Sequence, residues 1–346
     1  MNTFLIESLS HDERHKWDAF VHSHSSASLY HLSLWRNIVE QVYGHEAIYL
    51  YAKAGTGEVV GILPLIRIKS RLFGHYLVSM PYFNYGGAVA ITAEIEDELM
   101  KAACEVARRR GCDHVEFRDM TKRTPDWAVR TDKVVVELQL PDAPETLWSS
   151  FGTKLRTKIR RPQKEGAELI RGSTELLPEF YKVFSRNMRD LGTPVYPVRL
   201  FRSVLEAFPN AASIVVLRLQ GKPVAAGFLV GYKNRLEIPW ASSLREFNHL
   251  KINMLLYWEL LKVAVEGGYK VFDFGRSTIG GGTFDFKKQW GAEARQLYWH
   301  YWLPEGTPMP QLTPDNPKYR FAIRTWRHLP LFFTNWLGPK IVKNLP

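Results

Sequence analysis

The chain has 346 residues, 45% of them hydrophobic and 23% charged, ordinary usage that excludes a disordered or low-complexity protein and calls for two compact domains. A formal charge of +11, from 46 Lys and Arg against 35 Asp and Glu, favours acidic partners such as phosphates, nucleic acid or an anionic lipid surface without choosing among them. No apolar run reaches the roughly 18 residues of a membrane span and the first residues lack a basic, then apolar, leader, so neither secretion nor a bilayer crossing is expected.

In chain order, His11, His15, His22 and His24 come first. They have no cysteine or carboxylate cluster nearby to complete a metal site, and read as solvent or capping histidines. Gly57 to Leu65 reads as a turn entering a buried strand, and Met80-Pro81-Tyr82 closes the next apolar segment. In Tyr82 to Gly87, aromatics alternate before paired glycines. Tyr82 and Tyr85 could stack on a sugar or base and Asn84 supply directional bonds; a tight aromatic turn capping the core fits the same residues. An amphipathic helix over 94 to 110 ends at Gly111, before the strand Val115 to Arg118. Cys104 and Cys112 are too few and too close for a disulfide framework and read as reduced core thiols. A strand from Val134 to Leu140 closes the first half, and Pro141-Asp142-Ala143-Pro144 marks a boundary.

The second half opens on Leu155 to Lys164. Leu155 and Ile159 share one helical face, leaving Arg156, Lys158, Arg160 and their neighbours to form a basic stripe, suited to phosphates or simply solvated. Gly221 to Leu229 then repeats Gly57 to Leu65, Ile238-Pro239-Trp240 repeats Met80 to Tyr82, and a helix over 251 to 267 precedes Gly268 and the strand Phe272 to Gly275. Three collinear anchors in the same order argue for an internal duplication. Each half reads as a mixed sheet flanked by helices, with Gln296 to Leu303 as the last strand of the second.

The segment Phe272 to Gly291 is the richest in chemistry. A strand enters a glycine loop, Gly280 to Gly282, whose backbone can approach a ligand closely, and Arg276, Lys287 and Lys288 bring positive charge. Such a loop suits a phosphate or a developing oxyanion. Ser277, Gly281, Gly282 and Thr283 are its candidate substrate contacts. Asp273, Glu237 and Asp285 are candidate general bases, although strand-end carboxylates also bond loop amides. No G-x-S-x-G occurs.

The order of elements resembles two tandem GNAT-like (acyl-CoA N-acyltransferase fold) α/β domains. Phe286-Lys287-Lys288-Gln289-Trp290-Gly291 is similar to the F-K-K-G-F-G phrase of FemAB-like acyl and aminoacyl transferases, departing at Gln289 and Trp290. The whole phrase resembles the FemAB-related proteins associated with PEP-CTERM/exosortase and exopolysaccharide loci. This resemblance implies that Lys287, with Phe286 and Lys288, stabilises a tetrahedral intermediate, that the basic helix meets the phosphates of an aminoacyl-tRNA or nucleotide-linked acceptor, and that no dedicated base is required. An ordinary CoA enzyme carries a Q/R-x-x-G-x-G/A loop before its helix. Here Leu244 to Asn253 lacks glycine, which counts against CoA and leaves Arg245 and Asn253 as contacts for a differently shaped phosphate donor, or Asn253 as a helix cap.

The expected layout is a first domain at 1–142, a second carrying the active site at 143–304, and a linker with a basic aromatic tail at 305–346. The expected reaction is amide formation on an amino-group acceptor from an activated donor, with no metal and no cofactor, in the cytoplasm. A non-catalytic protein binding RNA or an anionic membrane is the alternative. The tail, with Trp326, Phe332, Phe333 and Trp336 beside Arg324, Arg327 and Lys340, could rest on the inner face of a membrane or pack across the domains.

Overall fold

The structure is a computed structural model that describes residues 4–123, 127–310 and 317–345, with side chains from Phe321 onward in the last stretch. The chain divides into two compact units: residues 1–133, 296–311 and 343–346 in one, residues 134–295 and 312–342 in the other.

In the first unit, β1 (Phe4–Ser8), α1 (Arg14–Ser23), α2 (Leu34–Tyr43), β2 (Glu46–Ala54), β3 (Val59–Ser70), β4 (Gly74–Val78), β5 (Val89–Ala90), α3 (Ala93–Arg110), β6 (His114–Asp119) and β7 (Ala128–Arg130) follow in order. Helix α3 shows why the local pattern folds as it does. Thr92 accepts the Ile95 amide at its start, and Gly111, at φ 64°, ends it in the left-handed region that favours glycine. Its apolar face, including Leu99, Ala103 and Cys104, packs on Leu63, Leu65 and Phe117 of the sheet. Cys104 and Cys112 are buried free thiols, and burial pushes the Cys104 thiol up to about 12.

The second unit runs β8 (Lys133–Gln139), α4 (Pro144–Ser150), α5 (Thr153–Lys164), β9 (Ala167–Gly172), α6 (Leu177–Leu191), α7 (Val198–Ala207), β10 (Ala212–Leu219), β11 (Lys222–Tyr232), β12 (Arg235–Ser243), α8 (Ile252–Glu266), β13 (Val271–Thr278), α9 (Gly282–Lys288) and β14 (Glu293–Gln296). The chain then makes β15 (Tyr298–Trp302) in the first unit and α10 (Pro317–Trp326) and α11 (Leu331–Val342) in the second. Gly268, at φ 75°, follows α8 as Gly111 follows α3. The linker is described only to Pro310, and its remainder, 311–316, lies outside the described residues.

The sheet orders are β1-β2-β3-β4-β6-β15-β7, with β5 beside β3, and β14-β8-β13-β12-β11-β10-β9. Read from their first strands, the two are alike, with an antiparallel meander leading to a parallel pair, β4·β6 in one and β12·β13 in the other. The expected last strands are exchanged. Val134 to Leu140, read as closing the first half, supplies β8 beside β13 of the second sheet. Gln296 to Leu303, read as closing the second half, contains β15, antiparallel to β6 with Tyr301 opposite Glu116. Alternation alone fits a strand to either sheet; the tertiary pairing selects the one.

Candidate functional site

The parallel pair in the second unit is short. Arg235 faces Val271, Leu236 faces Phe272 and Glu237 faces Asp273; beyond this register β12 continues to Ser243 and β13 to Thr278 as the strands part. Gly275, two residues past the last pair, has φ 75°, so the strand bends where a side-chain-bearing residue would be strained. Asp273 Oδ1 accepts the Gly275 amide at 2.7 Å, a bond within its own strand rather than to the glycine loop.

Lys287 fills the opening. Its side chain comes from α9, is only 7% exposed, and donates from Nζ to the carbonyls of Gly275 and Arg276, each at 2.9 Å. The ammonium thus supplies donors to carbonyls at the widening of the sheet. Burial pushes its pKa down to about 8, the Asp273 carboxylate opposes this, Arg276 adds to the lowering and Glu237 opposes it weakly. Behind it, Arg235 reaches Glu137 at 2.6 Å and Asp273 at 3.3 Å, and Arg295 reaches the other oxygen of Glu137 at 3.2 Å. Sequence reading passed over Arg235, Glu137 and Arg295. A lone acid inside Val134-Val135-Val136-Glu137-Leu138 was the available signal, because a carboxylate is buried in a strand only with cationic partners.

Around Lys287 the predicted residues take different positions. Phe286 is half-buried and meets Tyr257 edge-on at 4.8 Å, fixing α9 to the core. Lys288 is exposed and lines a separate open depression of about 730 Å³ with Phe151, Gly152, Gln289 and Gly291. Arg276 and Thr283 are exposed, and Ser277 is buried with an Oγ that has no protein partner. Gly281 donates its amide to Thr278 O at 3.1 Å within the turn, whereas a Cβ on Gly280 or Gly282 would meet nothing within 4 Å. The space beside those two glycines is open to a ligand.

Helix α5 buries Leu155 and Ile159 as its spacing required, and leaves Arg156 and Lys158 half-buried and Arg160 exposed. Lys158 reaches Gln289 Oε1 at 3.3 Å, so a residue that departs from the family phrase ties the basic helix to α9. Arg160 lies over the Trp148 ring at 5.2 Å. Arg245 is exposed in a 3-10 turn, and Asn253 is half-buried in the first turn of α8. Lys251, not Asn253, holds the cap position, without a side-chain cap bond.

Tyr82, Asn84 and Tyr85 belong to the first unit. There the segment after β4 lies across the corresponding opening. Arg118 donates to Phe83 O at 2.6 Å and to Glu116 at 2.7 Å, while Gly86 and Gly87 donate to Arg118 O. Tyr82, at φ 74°, donates to Lys343 O at 2.7 Å; Tyr85 packs edge-on against Tyr30; Asn84 O accepts from Trp299 Nε1 at 3.2 Å. Each of the three therefore has a place in the packing of this unit. Among the described residues no group of His, Cys, Asp and Glu could hold a metal ion, and no helix is long and apolar enough to cross a membrane.

Residues 149–288 match the profile described as acetyltransferase (GNAT) domain. No curated protein sequence matches the chain. Among solved structures it is similar to FemX, at 15% identity and a TM-score of 0.62, covering 85% of this chain and 96% of that one. It is also similar to L-PGS from Bacillus licheniformis, at 13% identity and TM-score 0.55, covering 93% and 99%. A tandem GNAT protein from the clavulanic acid biosynthesis pathway matches at 11% identity and TM-score 0.52, covering 89% and 100%. At such identities the likeness is one of fold: a mixed α/β chain of two sheets with flanking helices, GNAT-like in tandem.

Proposed function

We propose that the second unit transfers an acyl or aminoacyl group from an activated ester to an amino-group acceptor at the opening between β12 and β13. The observation that carries this reading is a buried ammonium held beside a glycine loop where a parallel strand pair parts. The acceptor nitrogen attacks the ester carbonyl, a C–N bond forms, and the carbonyl oxygen takes up negative charge. On collapse the C–O bond breaks, the nitrogen gives up a proton and the leaving oxygen takes one. With a pKa of about 8, Lys287 is charged at neutral pH, and a preorganised cation aimed at a developing oxyanion stabilises it. Lys287 alone is proposed to act on the reacting carbonyl; Phe286 anchors α9 to the core, Lys288 faces the separate depression, and Arg276, Ser277, Gly281, Gly282 and Thr283 are proposed as loop contacts.

Arg156, Lys158 and Arg160, with Arg245 and Asn253, are proposed to meet the phosphates of the donor. Aminoacyl-tRNA as donor rests on the resemblance to FemAB-like enzymes. A cell-envelope or exopolysaccharide-related amine as acceptor, and action in the cytoplasm, rest on that resemblance.

A second reading is a binding protein without chemistry. It is favoured by the fact that both bonds of Lys287 Nζ go to carbonyls of its own sheet, a structural task. Transfer assays offering aminoacyl-tRNA and acyl-CoA separately, with wild type and Lys287→Met, decide between them. Wild-type turnover lost in a folded variant supports the transferase, equal turnover removes Lys287 from the chemistry, and no turnover by wild type with either donor leaves the binding protein.

A further inference from the structure

Helix α11 sits with its small face inward. Thr334, Gly338 and Val342, four residues apart, are buried, and a Cβ on Gly338 would come within 2.8 Å of the Val195 nitrogen. Two of its large side chains face out. Phe332 is 76% exposed and Trp336 58% exposed, one turn apart, and Lys340 on the next turn holds its ammonium 3.7 Å from the centre of the Trp336 ring. Helix α10 follows suit, burying Trp326 and leaving Phe321 76% exposed and Arg324 exposed one turn on. Phe and Trp are normally buried, so helices locked the other way round by close glycine packing leave an apolar stripe for another surface.

Charge selects the occupant. Residues 321 to 342 contain Arg324, Arg327 and Lys340 and no Asp or Glu, so a second copy would bring like charges together. Anionic headgroups complement them, and aromatic rings flanked by Lys and Arg suit the boundary between headgroups and acyl chains. We propose that the outer face of α10 and α11 docks on an anionic lipid bilayer, independently of whether the second unit transfers an acyl group.

Flotation of the full chain with phosphatidylcholine vesicles, with and without roughly a third phosphatidylglycerol, tests this. The variant Phe321→Ser/Phe332→Ser/Trp336→Ser alters exposed positions alone and is checked for an unchanged thermal midpoint. Wild type should float with the anionic vesicles and be released by salt, and the triple variant should bind about tenfold more weakly or worse. Acyl chains carrying bromine should quench wild type more than Trp336→Phe, placing that ring at the lipid. Equal flotation of wild type and triple variant, or equal binding to neutral vesicles, overturns the proposal. So does a wild-type dimer abolished by the triple variant, which would give the face to a second copy.

Discussion

Lys287→Met tests whether the lysine is a buried charge held at a cost or a pin that keeps the sheet together. Its pKa of about 8 lies below the usual value near 10.4; at about 1.4 kcal/mol for each pH unit, the buried ammonium destabilises the fold by about 3 kcal/mol at pH 7. Methionine removes that penalty but leaves Gly275 O and Arg276 O without their donor, at about 1–3 kcal/mol for each carbonyl that finds no water. The opposing effects nearly cancel, and urea unfolding at pH 7 should place the variant within about 2 kcal/mol of wild type. The pH dependence has a definite sign. Because the folded-state pKa is depressed, the unfolded chain binds more protons between about pH 8 and 10.4, so wild-type stability rises with pH relative to the variant. Above that window the neutral amine still has two N–H groups for the two carbonyls. The difference between the two unfolding free energies should open by about 3 kcal/mol from pH 7.5 to 10.5. Parallel curves through this window would refute the reasoning, and a loss above about 5 kcal/mol at pH 7 would show the lysine to be a structural pin.

Glu116→Gln leaves the Arg118 guanidinium, 1% exposed, without its carboxylate and should lower stability by about 3–5 kcal/mol in chemical unfolding. Gly87→Ala drives a Cβ into Asp119 Oδ1, where that carboxylate meets Arg123 and His300, and should cost about 1–3 kcal/mol or more by the same measurement. Replacing Arg156, Lys158 and Arg160 together by Ala should weaken single-stranded RNA binding and reduce the slope of log affinity against log salt by roughly 2, with the thermal midpoint little changed. An unaltered slope would mean that α5 does not meet phosphates.

Much of the site was legible because its signals are local. The run Phe272 to Gly291 announces strand, glycine loop and lysine pair within one stretch, and the structure places Lys287 in an opening rather than in bulk water. The spacing of Leu155 and Ile159 set the buried face of α5. Tyr82 to Gly87 was harder, since alternating aromatics before glycines suit a ligand wall and a core cap equally. Its bonds to Arg118 and Lys343 depend on residues 30 and more positions away. Asn253 looked like a helix cap by composition, yet Lys251 takes the left-handed cap position.

By itself, the sequence determined the duplication, the amphipathic helices with their glycine ends and the lysine-bearing phrase. Each is written in residues a few positions apart, where capping, periodicity and backbone freedom act directly. Tertiary structure decided which sheet receives each closing strand, that Lys287 faces inward while Lys288 faces out, and that α11 shows Phe332 and Trp336 to solvent. A strand such as Val134 to Gln139 presents an edge that either sheet can pair with. The burial of Val134, Val136 and Leu138 in the core of the second unit, and of Glu137 among Arg235 and Arg295, favours one partner over the other.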